Sequence, residues 1–250
     1  MQLLAVVALF LRLAAFVSAS TSASTSTSSS HAWEPARDLD ALARLMPKSA
    51  LPPPSSLQLK YVALGVGTQN YTCASASDKH VPSANGALAR LYDIGTALKG
   101  NPLAADIIAF LSPLAFSLCQ HPQHPQHPQH TQHVDLALRL QGSQHLLGHH
   151  YFHLSTPVFA LDQLPQLPYP VARVSKLDET PARAYPAAGL APADSVDWLL
   201  LHDVDGSSQG GVDTVYRVET AGGAKPATCN GQRPSFEVEY AAQCKSDPGT

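Results

Sequence analysis

Twelve histidines stand among 250 residues, and five recur at every third position: His121, His124, His127, His130 and His133. The stretch reads H-P-Q-H-P-Q-H-P-Q-H-T-Q-H. In polyproline II geometry three residues make one turn, so the five imidazoles share a face with neighbours about 9 Å apart. One ion with bonds of ~2 Å reaches two of them only if the chain folds back. Imidazole suits Cu(II), Ni(II) or Zn(II), so the repeat implies weak metal binding. Its low complexity implies a surface loop under little constraint.

A second group is His149, His150 and His153. On a strand, 149 and 153 share a face but lie about 13 Å apart at ~3.3 Å per residue, and 150 points the other way. Gly148, Tyr151 and Phe152 favour the strand over a helical turn that would chelate. These histidines read as packed or hydrogen-bonded, and a metal site here needs ligands from other strands.

Two glycine motifs invite a catalytic reading and fail on context. Gly65-x-Gly67 resembles the start of a dinucleotide turn, which needs a third small residue and a helix facing the pyrophosphate. Position 70 is Asn, and Tyr71-Thr72-Cys73 that follow are strand-like. Gly206-Ser207-Ser208-Gln209-Gly210 matches the nucleophile-elbow pattern, but the elbow leads from a strand into a helix. Here residues 212–218 read as another strand and no histidine follows His202. The segment reads as a hairpin loop.

Covalent chemistry is more explicit. Asn70-Tyr71-Thr72 is a sequon, the N-glycosylation acceptor pattern of chains that enter the secretory route. The four cysteines, Cys73, Cys119, Cys229 and Cys244, allow three pairings.

The elements that must carry these residues are short. Alternation predicts strands at 57–63, 66–74, 86–94, 134–140, 149–154, 157–161, 171–177, 197–204, 214–220 and 236–241. Helical spacing of Leu39, Leu42 and Leu45 predicts a short helix starting near Asp38. Dense apolar residues over 102–118 predict a second, which Pro113 kinks or ends. Many strands between Gly and Pro turns indicate a mainly β fold, an antiparallel sandwich or barrel-like domain with one or two short helices and a His/Pro/Gln loop. No strand–helix alternation supports a doubly wound sheet.

The chain is 44% hydrophobic and 14% charged with a net charge of -3. That balance allows one sizeable core and gives no basic field for nucleic acid. Residues 3–17 form an apolar run of signal-peptide length, and Val17-Ser18-Ala19 offers a cleavage site after Ala19. No other stretch is long and apolar enough to span a membrane. The expected organisation is a signal at 1–19, a Ser/Thr-rich leader with a short helix at 20–50, one β domain at 51–244 with an insertion about 102–133, and a tail at 245–250.

Six ordered motifs then carry a resemblance. They are G-V-G-T-Q-N-Y-T-C from Gly65, G-A-L-A-R-L-Y-D from Gly86, G-H-H-Y-F from Gly148, P-V-F from Pro157, W-L-L-L from Trp198, and V-Y-R-V-E-T-A-G-G from Val215, with Cys229 following. Together they resemble the DUF3455 family of secreted, mostly fungal proteins. The resemblance implies a secreted, mainly β domain with no established activity, although members often carry the label malate dehydrogenase. It also implies a Cys73–Cys229 disulfide, which leaves Cys119 with Cys244. The expected function is that of a non-catalytic extracellular or cell-surface domain without a cofactor. Its partner is an extracellular or cell-wall component of unspecified chemistry. The competing readings are an extracellular enzyme with a site assembled across strands, and metal buffering by the histidine repeat. Binding of NAD and oxidation of malate are not expected, because no helix follows Gly67 to receive a pyrophosphate.

Overall fold

A computed structural model of the protein describes residues 33–54, 57–77, 79–119, 145–185, 189–203 and 205–247. The signal segment, the histidine repeat and the strand expected at 134–140 lie outside the described residues. The chain divides into a unit at 1–34 and a unit at 35–250, and the architecture below is that of the second.

Among the described residues, nine strands form one antiparallel sheet: β1 Tyr61–Thr72, β2 Ser83–Asp93, β3 Leu146–His153, β4 Thr156–Ala160, β5 Val171–Arg173, β6 Ser175–Thr180, β7 Trp198–His202, β8 Thr214–Gly222 and β9 Ser235–Asp247. Their order is β5-β4-β3-β2-β1-β9-β8-β7-β6. The two edges of that order, β5 and β6, are separated in the chain only by Val174. One extended segment therefore pairs first with β4 and then with β7, which draws the sheet into a nearly closed barrel. The β7–β8 loop seals the free side of β5. Val171 and Gln209 exchange backbone hydrogen bonds of 3.0 and 2.8 Å. The Ser208 hydroxyl accepts from the Arg173 N–H at 2.9 Å and donates to the Arg173 carbonyl at 3.2 Å.

Alternation along β1 separates the two faces of the wall. Val62, Leu64 and Val66 point outward and meet the helices α1 Asp40–Ala43, α2 Gly95–Leu98, α3 Ala104–Ile107 and α4 Leu111–Cys119 through Leu39, Leu42, Leu98, Ile108 and Phe116. Each such buried aliphatic or aromatic side chain contributes about 1.5–3 kcal/mol. Residues 104–119 thus pack on the core, as the helix expected over 102–118 implies. Farther round, Trp198, Leu200, Tyr216 and Val218 are covered by Met46, Leu51 and Leu57 from the N-terminal segment. The inward set contains Ala63, Gly65, Gly67, Ala87, Ala89 and Ala242. Such small residues suit the narrow interior of a small barrel.

Several expectations need correction. The strands expected at 57–63 and 66–74 are one strand, β1: Gly67 marks a close approach of β2 rather than a break, and Gly65 sits in the unbroken strand with ordinary contacts. β9 does not end near Ala241 but runs to Asp247, into the expected tail, and pairs with β1 over twelve consecutive positions. The helix over 102–118 is interrupted by a 3-10 turn at Ile108–Phe110, and Pro113 sits in the first turn of the following helix, where its missing N–H has no partner to lose. Gln243 Nε2 donates to the Ile108 carbonyl at this interruption, at 2.5 Å.

Cysteine pairing is half as expected. Cys73 and Cys229 form a disulfide with a Cα–Cα distance of 5.8 Å. Cys119 and Cys244 do not bond to each other. Cys119 packs in the outer cluster that contains Ala241. Cys244 is three residues beyond Ala241 on an unbroken strand, so its thiol points to the opposite face. Burial pushes both thiols up to about 12.

Candidate functional site at the barrel mouth

Cross-strand partners define a row of side chains around the barrel interior. In order they are Gly222, Tyr240, Gly67, Ala89, His150, Phe159 and Ala172. Gly67 and Ala89 stand between the two polar rings and give them room. His150 is fully packed. Its Nδ1–H donates to the Val158 carbonyl at 2.9 Å, and its ring stacks on Phe159 at 4.1 Å. Burial is the main force that lowers its basicity to about 4, against the Val158 carbonyl and with help from the Arg217 charge.

That depression has a sign. The native ring stays neutral while the unfolded ring protonates below its ordinary value of 6.5, so the unfolded state binds more protons between pH 6.5 and 4. Stability therefore falls as pH falls through that window, by about 3 kcal/mol in total. Denaturant midpoints measured across it should decline. A His150→Gln variant should lose that decline, and an unchanged slope would show that another group causes it.

Arg217 is a charged member of the interior set. It stands opposite Cys244 on β9 and Leu199 on β7. Its Nη2 donates to the Asp197 carbonyl at 2.9 Å, and its charge acts on Tyr71, His150, Tyr240 and Cys244. Burial raises both phenols, so they stay protonated. The Tyr71 hydroxyl donates to the Gly223 carbonyl at 2.7 Å.

Residues 195–197 cross this end of the barrel. Val196 packs against Ala89, Tyr240 and Ala242. The strap is held by bonds from Val196 N to the Gly222 carbonyl at 3.0 Å, from Gly222 N to Ser195 Oγ at 3.1 Å, and from Thr220 Oγ1 to the Val196 carbonyl at 2.5 Å. A bulge in β8 between Val218 and Ala221 makes these bonds reachable. Within it, Glu219 adopts φ 51°. Its buried carboxylate accepts from the Tyr185 hydroxyl and pairs with Arg183 Nε at 3.1 Å. Burial raises its affinity for a proton, against the Tyr185 hydrogen bond and the charges of Arg183 and Lys245. This cluster ties the chain around Arg183 and Tyr185 to the barrel wall.

The residues singled out from sequence are dispersed. His149 points outward, with Nδ1 at 3.0 Å from Asp162 Oδ1. His150 is inside and His153 is exposed, so the three share no ion. Asp203 braces the β7–β8 loop by accepting from the backbone N–H groups of Asp205, Gly206 and Ser208. Desolvation pushes this carboxyl up, but the hydrogen bonds from Ser208, Asp205 and Gly206 outweigh it and hold the group well below the carboxylate range. Ser208 is committed to Arg173, so the elbow-like motif serves as a brace. His202 Nδ1 lies 3.0 Å from Thr214 Oγ1. Asp93 accepts from Thr96 N at 3.3 Å and fixes the start of α2. Asn70 lies on the outward face of β1, partly exposed, at a bulge where the ladder to β2 skips it. Among the described residues, no group of three or more His, Cys, Asp or Glu is placed to hold a metal.

Gln69, Arg217 and Tyr240 were missed. The signal for Arg217 is present in V-Y-R-V, where a cation occupies one of the alternating positions of an otherwise apolar strand.

Architecture and covalent chemistry together define a disulfide-stapled antiparallel β-barrel with helices packed on one flank. The chain belongs to the DUF3455 family, described as proteins of unknown function, whose family model matches residues 53–244. No curated protein and no solved structure matches the chain.

Proposed function

We propose that this protein is a secreted glycoprotein that acts outside the cell as a non-catalytic binding domain. The Cys73–Cys229 disulfide carries the reading, since such bonds persist in oxidising compartments. The N-terminal apolar run and the outward, partly exposed Asn70 agree with it. Non-catalytic action is supported by the state of the interior groups. His150, the strongest candidate for a general base, has its Nδ1–H committed to Val158 and its basicity lowered far below neutral pH. No helix of the described residues is long and apolar enough to cross a membrane.

Expression in a fungal host should place the protein in the medium, processed after Ala19. Glycosidase treatment should lower its mass, and Asn70→Gln should run at the deglycosylated position. Retention inside the cell, or an Asn70→Gln variant with the mobility of the parent, would overturn the corresponding part of this reading.

A further inference from the structure

The helices cover the outer face of β1 only in part. Val62, Leu64 and Val66 are packed beneath them, but the next outward positions, Thr68 and Asn70, are partly exposed. Leu88, the β2 residue paired with Thr68, is 56% exposed. Asn70 lies two residues along β1 from Thr68, which makes it the diagonal neighbour of Leu88, at roughly 7–8 Å. A single exposed leucine is ordinary. Its place diagonal to the one sequon of the chain is what carries the inference.

Local chemistry aims the asparagine. Thr68 Oγ1–H donates to Asn70 Oδ1 at 3.2 Å. That bond holds the amide oxygen toward Thr68 and leaves Nδ2, the atom that carries an N-linked sugar, turned away from it. No β2 residue is paired directly with Asn70, because the ladder passes from Gln69↔Ala87 to Tyr71↔Ala84. On the other side Asn70 pairs with the exposed Glu237 of β9. The asparagine is therefore flanked by an apolar group on β2 and a carboxylate on β9. The first sugar of an N-glycan, an N-acetylglucosamine, is complementary to both. Its C–H face and acetyl methyl suit the leucine, where covering apolar surface is favourable. Its hydroxyls are donors for the carboxylate. Tethering makes these contacts intramolecular, which favours the glycan over any free partner for this patch.

We propose that the Asn70 glycan folds back on the outer face of β1 and β2, with its first sugar packed on Leu88, and continues the cover that the helices begin. The proposal deepens the glycosylation reading above and rests on it. Secreted, disulfide-intact protein would be compared in three forms: fully glycosylated, trimmed by an endoglycosidase to one N-acetylglucosamine, and free of sugar. Thr72→Val, which removes the sequon and keeps Asn70, and Asn70→Gln supply the last form independently. The trimmed form should keep the thermal midpoint of the parent. Both sugar-free variants should lie about 2–4 °C below it, the shift expected for re-exposing part of one leucine. In a Leu88→Ser background that gap should vanish. In the trimmed parent, nuclear Overhauser contacts should link the acetyl methyl of the sugar to the Leu88 methyls.

Absence of those contacts in the trimmed parent would overturn the proposal whatever the variants do. A gap of the same size in the Leu88→Ser background would also overturn it. So would self-association of the glycosylated protein that Leu88→Ser abolishes, since the face would then belong to a second copy. A mass that shows Asn70 unoccupied would remove the glycosylation reading and this proposal with it, whereas an occupied Asn70 indifferent to Leu88 would remove this proposal alone.

Discussion

Replacing Gly67 by alanine is expected to stop the protein from folding well enough to be secreted, while the same change at Gly65 is expected to be tolerated. A Cβ on Gly67 would lie 2.0 Å from the Leu88 carbonyl oxygen and 2.6 Å from Ala89 Cα. Both are backbone atoms of the paired strand, so no side chain can rotate away. The ladder between β1 and β2 would have to open at Gly67↔Ala89, in the row that holds Tyr240 and His150 apart. Overpacking costs typically about 1–3 kcal/mol where side chains can adjust, and a clash with backbone lies at or above that range. Against a total stability of about 5–15 kcal/mol, this is a large fraction. At Gly65 the nearest atoms would be 3.5 to 3.8 Å away, ordinary van der Waals contact. Secreted yield and thermal midpoint of the two variants would be compared. A Gly67→Ala protein within a degree or two of the parent would show that the strands are farther apart than described.

Removal of the Cys73–Cys229 bond, as the double alanine variant, is expected to lower the thermal midpoint by on the order of 10 °C. The bond joins residues 156 positions apart. By the chain-entropy account, a loop of that length restricts the unfolded chain by at most about 5 kcal/mol. For a domain of this size each kcal/mol moves the midpoint by about 2–4 °C. Strain and residual structure in the unfolded chain reduce the yield of such bonds, which sets the expectation at the lower end. The same bond anchors the loop before β9 to the end of β1, where Cys73 N donates to the Pro234 carbonyl at 2.9 Å. A midpoint unchanged by the double substitution would mean that this anchoring backbone suffices alone.

The wall of the barrel was readable because alternation survives in most strands. Residues 149–154, 157–161 and 214–220 were placed to within a few positions of β3, β4 and β8. Gly65 and Gly67 misled because glycine marks both a break and a close approach, and only the partner strand distinguishes them. Cys119 and Cys244 misled for a related reason. Elimination paired them, but which face of β9 carries Cys244 depends on a strand that extends past its apolar stretch. The mouth was not legible as a site, since Gln69, Arg217 and Tyr240 come from β1, β8 and β9 and meet only through registers that sequence spacing does not encode.

The longest ladder of the barrel joins β1 to β9, the first and last strands of the sheet in chain order. A polypeptide emerging at about 5–20 residues per second thus makes β1 many seconds before the partner that covers one whole side of it exists. Until then β1 exposes an open edge with V-A-L-G-V along it, the kind of segment that pairs with other copies of itself. Contacts this distant in sequence also form slowly once both ends are present. The protein should therefore depend more on holding factors during export than its finished stability suggests. A circular permutant that joins β9 directly to β1 through a short turn would remove that wait.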